Sequence, residues 1–284
     1  MGALIRMELG RALRGRMFVT ALVIGGVIGI VAAAGSAWGW WASMESAQDP
    51  TSSFTNQFAQ GAWTLWMPLS VMRSVPNLFF LLAPLLVALA YAWSWRSDVM
   101  GGYVASVSVR TTRERFYAAK AFAAFVSGSL VVVVPLLVNL ALTLCLVPAY
   151  APDITDVVYT GLWEKVFLSS LLYSCPQGYV VARFLIDALL AGLWATTVLA
   201  LSLPMRNRVA IMALPFIALL VVKYVSERIY VLAGVRLSSL TILDQLKARG
   251  DSFYYEGWAL AVDVLVMLAI SVVVPMLMRR RDVL

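Results

Sequence analysis

Six ionisable residues lie inside stretches that are otherwise apolar, and their types and spacing could do chemistry within a membrane. Two acid–base pairs have the four-residue spacing that puts both side chains on one face of a helix. Because unpaired charge inside a membrane is costly, we expect the six to face one another or water rather than lipid. They could line an exit path or form an ion-pair network that fastens their helices together, and the balance of three positive and three negative charges favours the network. The six are Arg183, Asp187, Lys223, Glu227, Arg228 and Asp263.

The chemistry open to this chain is narrowed by what its sequence lacks. There is no histidine, which excludes a histidine metal site, a histidine proton relay and a Ser-His triad. No GxxxxGK[ST] phosphate loop occurs, and no GxGxxG follows a strand pattern. We therefore expect a chain that is not an enzyme, with no catalytic residue, no metal and no cofactor of its own. Any nucleotide chemistry would have to come from another chain.

The elements that must position these charges are membrane-spanning helices. The chain has 284 residues, of which 62% are hydrophobic and 13% charged. Apolar runs of about 20 residues recur, and each is long enough to cross a hydrocarbon core of ~30 Å. We expect an all-α polytopic membrane protein, folded as a single transmembrane domain with six spans. In chain order, spans 1 to 6 are predicted at about 18–40, 76–95, 121–145, 178–203, 209–232 and 257–278.

Lysine and arginine are distributed unequally between the two sides of these spans. The N-terminus, the 96–120 loop, the 204–208 turn and the C-terminus together carry fourteen of the 22 basic residues, and the other three loops carry five. Because basic residues favour cytoplasmic loops, both termini are predicted to be cytoplasmic, in the plasma membrane of a bacterium. The net charge of +7 comes from span ends rather than from a basic face or tail, so we expect no nucleic-acid partner.

Residues 2–16 combine a roughly helical apolar spacing with four arginines. This pattern predicts an amphipathic helix in the headgroup layer, with its arginines toward anionic lipid. The alternative is a basic flank that only orients span 1, because Glu8 interrupts the apolar face. Within span 1, Gly25 and Gly29 form a GxxxG that could be a helix contact. The four arginines are Arg6, Arg11, Arg14 and Arg16.

The predicted outer loops contain two apolar stretches too short to cross the membrane. Leu162–Tyr173 is expected to form a helix lying on or dipping into the outer surface, and Leu240–Leu246 is amphipathic. Cys145 and Cys175 both fall near this face, where an oxidising compartment would permit a disulfide. Their spacing does not show whether they approach each other, and unpaired cysteines are the favoured interpretation.

The 96–120 loop is longer than a connection between two spans needs to be. It holds five of the basic residues, a Gly101-Gly102 pair near its start and a basic-aromatic run at its end. Its length allows a short helix against the membrane face, which a soluble partner could grip. Its arginines could equally bind anionic lipid headgroups.

The order of residues in this loop resembles that of permease subunits of type-2 ATP-binding-cassette (ABC) transporters. In that family an acidic residue and a Gly-Thr pair follow span 2, and then come an apolar helical turn, a Pro-x-x-Arg-like element and a lysine that opens span 3. This chain departs from the pattern where Gly102-Tyr103 replaces the threonine-containing pair and where Thr111-Thr112 stands in place of a frequent proline. The matching positions are Asp98, Gly101, Val104–Val109, Arg113 and Lys120.

The resemblance implies a coupling helix in this loop that docks into a groove on a separate ATPase subunit. Two permease chains, alike or different, would pair with two ATPase subunits that bring ATP and magnesium, and substrate would usually move outward. The family also has an N-terminal interfacial helix, matching 2–16, and an often re-entrant segment between spans 5 and 6, matching 233–256. The implied coupling residues are Asp98, Gly101, Gly102, Arg110, Arg113, Arg115 and Lys120.

Two other functions remain open at this point. The chain could be a membrane scaffold or regulator that binds a soluble partner without transport. It could also be an ion-coupled secondary carrier that uses the charges on spans 4 to 6. The carrier predicts that neutralising Asp187, Glu227 or Asp263 stops transport, whereas the permease predicts that the 96–120 loop is the sensitive region.

Overall fold

The computed structural model describes residues 1–48, 60–70, 73–108, 111–153, 162, 166–205, 207–233, 241–248 and 257–279. Over these ranges the chain is helical and contains no strand. Six helices in the described ranges are long and apolar enough to cross a membrane, so the protein is an all-α polytopic membrane protein. Spans 1 to 6 correspond to Arg16–Gln48, Ser74–Met100, Arg113–Leu146, Pro176–Leu201, Arg208–Ala233 and Gly257–Arg279.

The spans flanking the 96–120 loop are longer than the apolar runs that predict them. Span 2 continues through Arg96–Met100, and span 3 begins at Arg113 rather than Ala121. A short helix, Tyr103–Ser108, lies between them and is called the connecting helix here. The helices extend beyond the predicted spans at these ends because an apolar run predicts only the part of a helix inside the membrane, and a helix can continue past it where its polar side chains find partners.

Helices also form the shorter elements. The N-terminal helix covers Gly2–Leu13 and precedes span 1. A single helical turn, Ala62–Leu65, follows span 1, and another helix, Ser169–Ser174, precedes span 4 and overlaps the end of the predicted apolar stretch 162–173. The turn Ile242–Gln245 lies between spans 5 and 6.

Span 1 packs against span 3 through the two glycines of its GxxxG. A Cβ on Gly25 would lie 2.7 Å from Cγ of Pro135, and one on Gly29 would lie 2.8 Å from the carbonyl oxygen of Pro135. The Asn139 amide donates to the Gly29 carbonyl at 2.9 Å, and its oxygen accepts from the Met67 amide at 2.9 Å. The GxxxG is therefore a helix contact, because the missing side chains let the two backbones approach.

Replacing Gly29 with alanine is expected to destabilise the protein by about 1–3 kcal/mol, because the new methyl group meets backbone that cannot move aside. Gly26→Ala is the matched control, since a Cβ there has nothing within 4 Å. That variant should be neutral or more stable by up to about 1 kcal/mol, through helix propensity. Denaturation of the two variants in detergent, followed by tryptophan fluorescence, measures the difference. Equal stabilities would contradict the packing described for Gly29.

Spans 2, 3 and 4 form the centre of the bundle. Gly192 lets the Phe125 ring of span 3 approach span 4, and Ser129 donates to the Ala188 carbonyl at 2.6 Å. The Trp194 indole of span 4 donates to the Pro84 carbonyl of span 2 at 2.9 Å. The two hydrogen bonds satisfy polar groups that lie between helices in an apolar core.

Spans 5 and 6 lie at the edge of this centre, and most of their apolar side chains are exposed. Span 6 packs on span 4, where the Thr197 hydroxyl lies 3.3 Å from that of Ser271 and donates to the Met267 carbonyl at 3.2 Å. Exposed apolar helix faces are expected of surfaces in contact with lipid.

Residues 241–248, called the far-end segment here, are buried at the end of the bundle where span 2 begins. The Ala248 amide donates to the Pro68 carbonyl at 3.2 Å, which joins this segment to the chain that follows span 1. The segment covers most of the predicted amphipathic stretch. Cys145 and Cys175 are both exposed and free.

Candidate functional site

Four charged side chains meet where the N-terminal helix crosses the adjoining ends of spans 2 and 3. Lys120 Nζ lies 2.9 Å from Glu8 Oε2 and 2.6 Å from Asp98 Oδ2. Arg11 lies 2.9 Å from the other Glu8 oxygen and 2.7 Å from Asp98 Oδ1. These residues, Glu8, Arg11, Asp98 and Lys120, are called the four-charge cluster here.

Three of the four side chains in the four-charge cluster are almost sealed from solvent. Glu8 and Lys120 have side chains that are 0% exposed and Asp98 one that is 6% exposed, whereas the Arg11 side chain is 40% exposed. The Tyr91 hydroxyl donates to Glu8 Oε2 at 2.6 Å. Two positive and two negative charges balance, which matters because a buried charge without a partner is strongly destabilising.

Helical spacing in three separate segments assembles this cluster. Glu8 and Arg11 are three residues apart on the N-terminal helix, and Tyr91 and Asp98 are seven apart on span 2, so each pair shares a helix face. The five-residue π-helical turn Ala88–Ala92 contains Tyr91. On span 3, Lys120 lies one turn after Phe116, and its ammonium is 5.3 Å from the centre of that ring.

The charge on Arg11 is secured by its neighbours. The hydrogen bond to Asp98 raises the pKa of Arg11 above its ordinary value, against partial burial, which lowers it. Arg11 therefore carries its positive charge at neutral pH. Its guanidinium also lies 4.7 Å from the centre of the Tyr103 ring, a cation–π contact that joins the N-terminal helix to the connecting helix.

The connecting helix is attached directly to the four-charge cluster. It follows Gly101-Gly102, and Gly102 has a φ of +69°, in the left-handed region that favours glycine. Val104 is buried and the Tyr103 ring lies 5.9 Å from that of Phe116. Ser106 of this helix is exposed, as are Gly101 and Gly102 just before it, so the segment 101–106 has one side on the protein and one side outward.

The predicted coupling residues divide into two groups. Asp98 and Lys120 are inside the four-charge cluster and do not lie on the surface. Gly101, Gly102 and Arg115 are exposed. Arg113 is half-buried, with its guanidinium 6.0 Å from the centre of the Trp95 ring, and Arg110 lies outside the described residues.

The N-terminal arginines divide in the same way. Arg11 belongs to the four-charge cluster, whereas Arg6, Arg14 and Arg16 are exposed. Sequence reasoning missed Glu8, which looked like a defect in an apolar helix face. A carboxylate on an apolar face needs a cationic partner, and Arg11 at the i+3 position was the available signal.

Four of the six intramembrane charges form two local pairs rather than one network. Arg183 and Asp187 are 2.9 Å apart and both buried, and Lys223 lies 3.8 Å from Glu227. The Arg228 guanidinium lies 5.0 Å from the centre of the Tyr224 ring. Within the described part of the chain, no ion pair joins span 4 to span 5, or either span to Asp263.

Both pairs are instead joined to the far-end segment. The Arg183 guanidinium donates to the backbone carbonyl of Gln245. Lys223 is 2.9 Å from Asp244, which also accepts a hydrogen bond from Thr241 at 2.8 Å. A charge on span 4 and a charge on span 5 therefore hold the same buried segment.

Comparison with known protein families, with curated proteins and with solved structures finds no match to this chain. A function is therefore argued from the chain's own residues and their geometry.

Proposed function

We propose that this chain is the membrane-spanning permease subunit of an ABC transporter, an exporter driven by a separate ATPase subunit. The observation that supports the proposal is the attachment of the connecting helix to the four-charge cluster. A short helix with an outward face, held between two spans, is the element that a helix-in-groove partner would grip.

The cluster gives a physical path for force. A load on the connecting helix reaches the N-terminal helix through Tyr103 and Arg11, and reaches span 3 through Tyr103 and Phe116. Asp98, four residues before Gly102, is bonded to both the N-terminal helix and span 3. Because these partners are buried and charge-balanced, the three elements would move together rather than slide past one another.

The remaining parts of the proposal follow from the resemblance of the 96–120 loop. Two permease chains, identical or homologous, would assemble with two ATPase subunits that hold ATP and magnesium. The connecting helix and both termini would lie on the cytoplasmic side of a bacterial plasma membrane, where the ATPase is found.

Purification from native membranes in mild detergent tests this proposal. We expect a stoichiometric partner with ATPase activity, and we expect Arg113→Glu with Arg115→Glu to reduce its recovery at least tenfold. Reversing two charges next to the connecting helix should repel a groove that accepts the wild-type surface. The matched control is Arg6→Glu with Arg14→Glu, which makes the same change of net charge on the exposed side of the N-terminal helix.

The outcome distinguishes the proposed permease from its rivals. Recovery of the ATPase with the control variant, and its loss with the Arg113 and Arg115 variant, would support docking at this surface. A partner that lacks ATPase activity would favour a scaffold. A preparation with no partner would contradict the proposal and direct attention to the charges on spans 4 and 5.

A further inference from the structure

A cavity of about 640 Å³ lies between the start of span 3 and the last turns of span 6. Its size falls in the range of ~300–1,000 Å³ that is typical of small-molecule sites. Spans 3 and 6 both pack against span 4, and Leu203, just after the end of span 4, lines the space between them. The four-charge cluster does not line this cavity, whereas Arg113, one of the proposed coupling residues, does.

The lining of the cavity is charged and polar at the start of span 3 and mostly apolar on the side of span 6. Its polar residues include the consecutive Thr112, Arg113 and Glu114 at the start of span 3, and its apolar wall includes Val272 and Pro275 of span 6. The hydroxyl of Ser271, which also lines the cavity, already lies within hydrogen-bond distance of two threonines of span 4. The cavity thus suits a molecule that is polar at one end and apolar over the rest.

The polar end carries both signs of charge. The Arg113 guanidinium is positioned over the Trp95 ring, and Glu114 is the next residue along the helix. A guanidinium is a strong partner for a phosphate, and a carboxylate is a strong partner for an ammonium group. A purely anionic headgroup would meet Glu114, and a purely cationic one would meet Arg113. A headgroup with one phosphate and one ammonium group complements both.

The depth of the cavity in the membrane indicates where such a molecule comes from. Thr112–Glu114 precede the apolar run of span 3, at the level of the headgroup layer, whereas the span 6 wall belongs to an apolar run. We propose that the cavity binds one phospholipid from the leaflet that surrounds the start of span 3. Its phosphate would lie at Arg113, its ammonium group at Glu114 and an acyl chain along span 6. The lining pairs charged residues with an apolar wall, as a phospholipid pairs a charged headgroup with acyl chains. A soluble metabolite has no acyl chain to cover the apolar wall.

The test uses the purified full-length chain and native mass spectrometry in micelles that contain phosphatidylethanolamine and phosphatidylglycerol. We expect one phosphatidylethanolamine to remain bound per chain after loosely held lipid is removed. Val272→Trp, which fills the cavity, should reduce the lipid-bound fraction at least fivefold. Val273→Trp is the matched control, because this exposed neighbour on the same helix does not line the cavity and should retain the lipid.

Two further variants test whether the lipid occupies this cavity and whether Glu114 selects its headgroup. Met276→Trp also fills the cavity from an exposed position, and replaces Val272→Trp if that variant does not fold. Glu114→Gln should abolish the preference for phosphatidylethanolamine over phosphatidylglycerol, because only the former carries an ammonium group. Retention of the lipid by both filled variants, or a wild-type preference for phosphatidylglycerol, would overturn the proposal. Neither result depends on whether an ATPase docks.

Discussion

Replacing Lys120 with methionine is expected to lower the free energy of unfolding by about 3–5 kcal/mol, as is typical when one partner of a buried ion pair is removed. Lys120 is the only side chain of the four-charge cluster that is both cationic and fully buried, and it contacts both carboxylates. Without it, Glu8 and Asp98 share the half-exposed Arg11 alone. One buried negative charge is then left without a cation.

A second substitution should repair most of this loss. In Lys120→Met with Glu8→Gln, the remaining charges are Arg11 and Asp98, which form a balanced pair 2.7 Å apart. The double variant should therefore be less destabilised than the sum of its two single variants, by a coupling energy of about 1–3 kcal/mol. Denaturation in mixed micelles with a double-mutant cycle measures this coupling.

The double-mutant cycle can also contradict the proposed ion pair between Lys120 and Glu8. If the two substitutions add without coupling, the Lys120 and Glu8 contact does not contribute to stability as its geometry implies. Arg11→Met serves as the comparison within the same cluster. Its side chain is 40% exposed, so water can replace part of its role, and its loss should be smaller than that of Lys120→Met.

The number of spans could be predicted from the sequence because length and hydropathy are properties of a continuous stretch of chain. The apolar runs identify six helices, and the described residues contain six helices of that kind. The ends of spans 2 and 3 could not be predicted in this way. Asp98 and Lys120 are polar and look like loop, but they are held in helices by partners from the N-terminal helix.

The candidate site was only partly predictable for the same reason. Asp98, Arg11 and Lys120 were each selected, but for different roles, because nothing local connects three segments that lie far apart in the chain. Glu8 joins them, and in the sequence it appears only as a break in an apolar pattern. Its role as an ion-pair partner depends on Lys120, which is 112 residues away.

For the charges on spans 4 and 5, the local ion pairs were predictable from the sequence and the distant partners were not. Their four-residue spacing predicted the pairs Arg183–Asp187 and Lys223–Glu227, and both pairs form. The partner that each span shares with the far-end segment was not predictable. The bond from Arg183 is accepted by a backbone carbonyl, which every residue has, and the sequence gives no sign of which one is used.

Replacing Arg183 with methionine is expected to release the far-end segment. The guanidinium supplies a charge-assisted hydrogen bond to the Gln245 carbonyl, and such bonds contribute about 1.5–3 kcal/mol. We expect hydrogen exchange of the amides of residues 244–248 to accelerate by roughly 10- to 100-fold, by conversion of that free energy. Asp187, which is fully buried, also loses its cation, so global stability should fall by about 3–5 kcal/mol.

A paired substitution separates the two effects. In Arg183→Met with Asp187→Leu, no buried charge is left unpaired, and most of the global stability should return because buried ion pairs are often replaceable by apolar residues. The link to Gln245 remains absent, so residues 244–248 should still exchange faster than in the wild type. If their exchange returned to the wild-type rate with stability, the segment would be held without Arg183, by Lys223, the Ala248 hydrogen bond and packing. Fast exchange in a stable variant would instead show that Arg183 of span 4 is needed to hold residues 244–248, in addition to Lys223 of span 5.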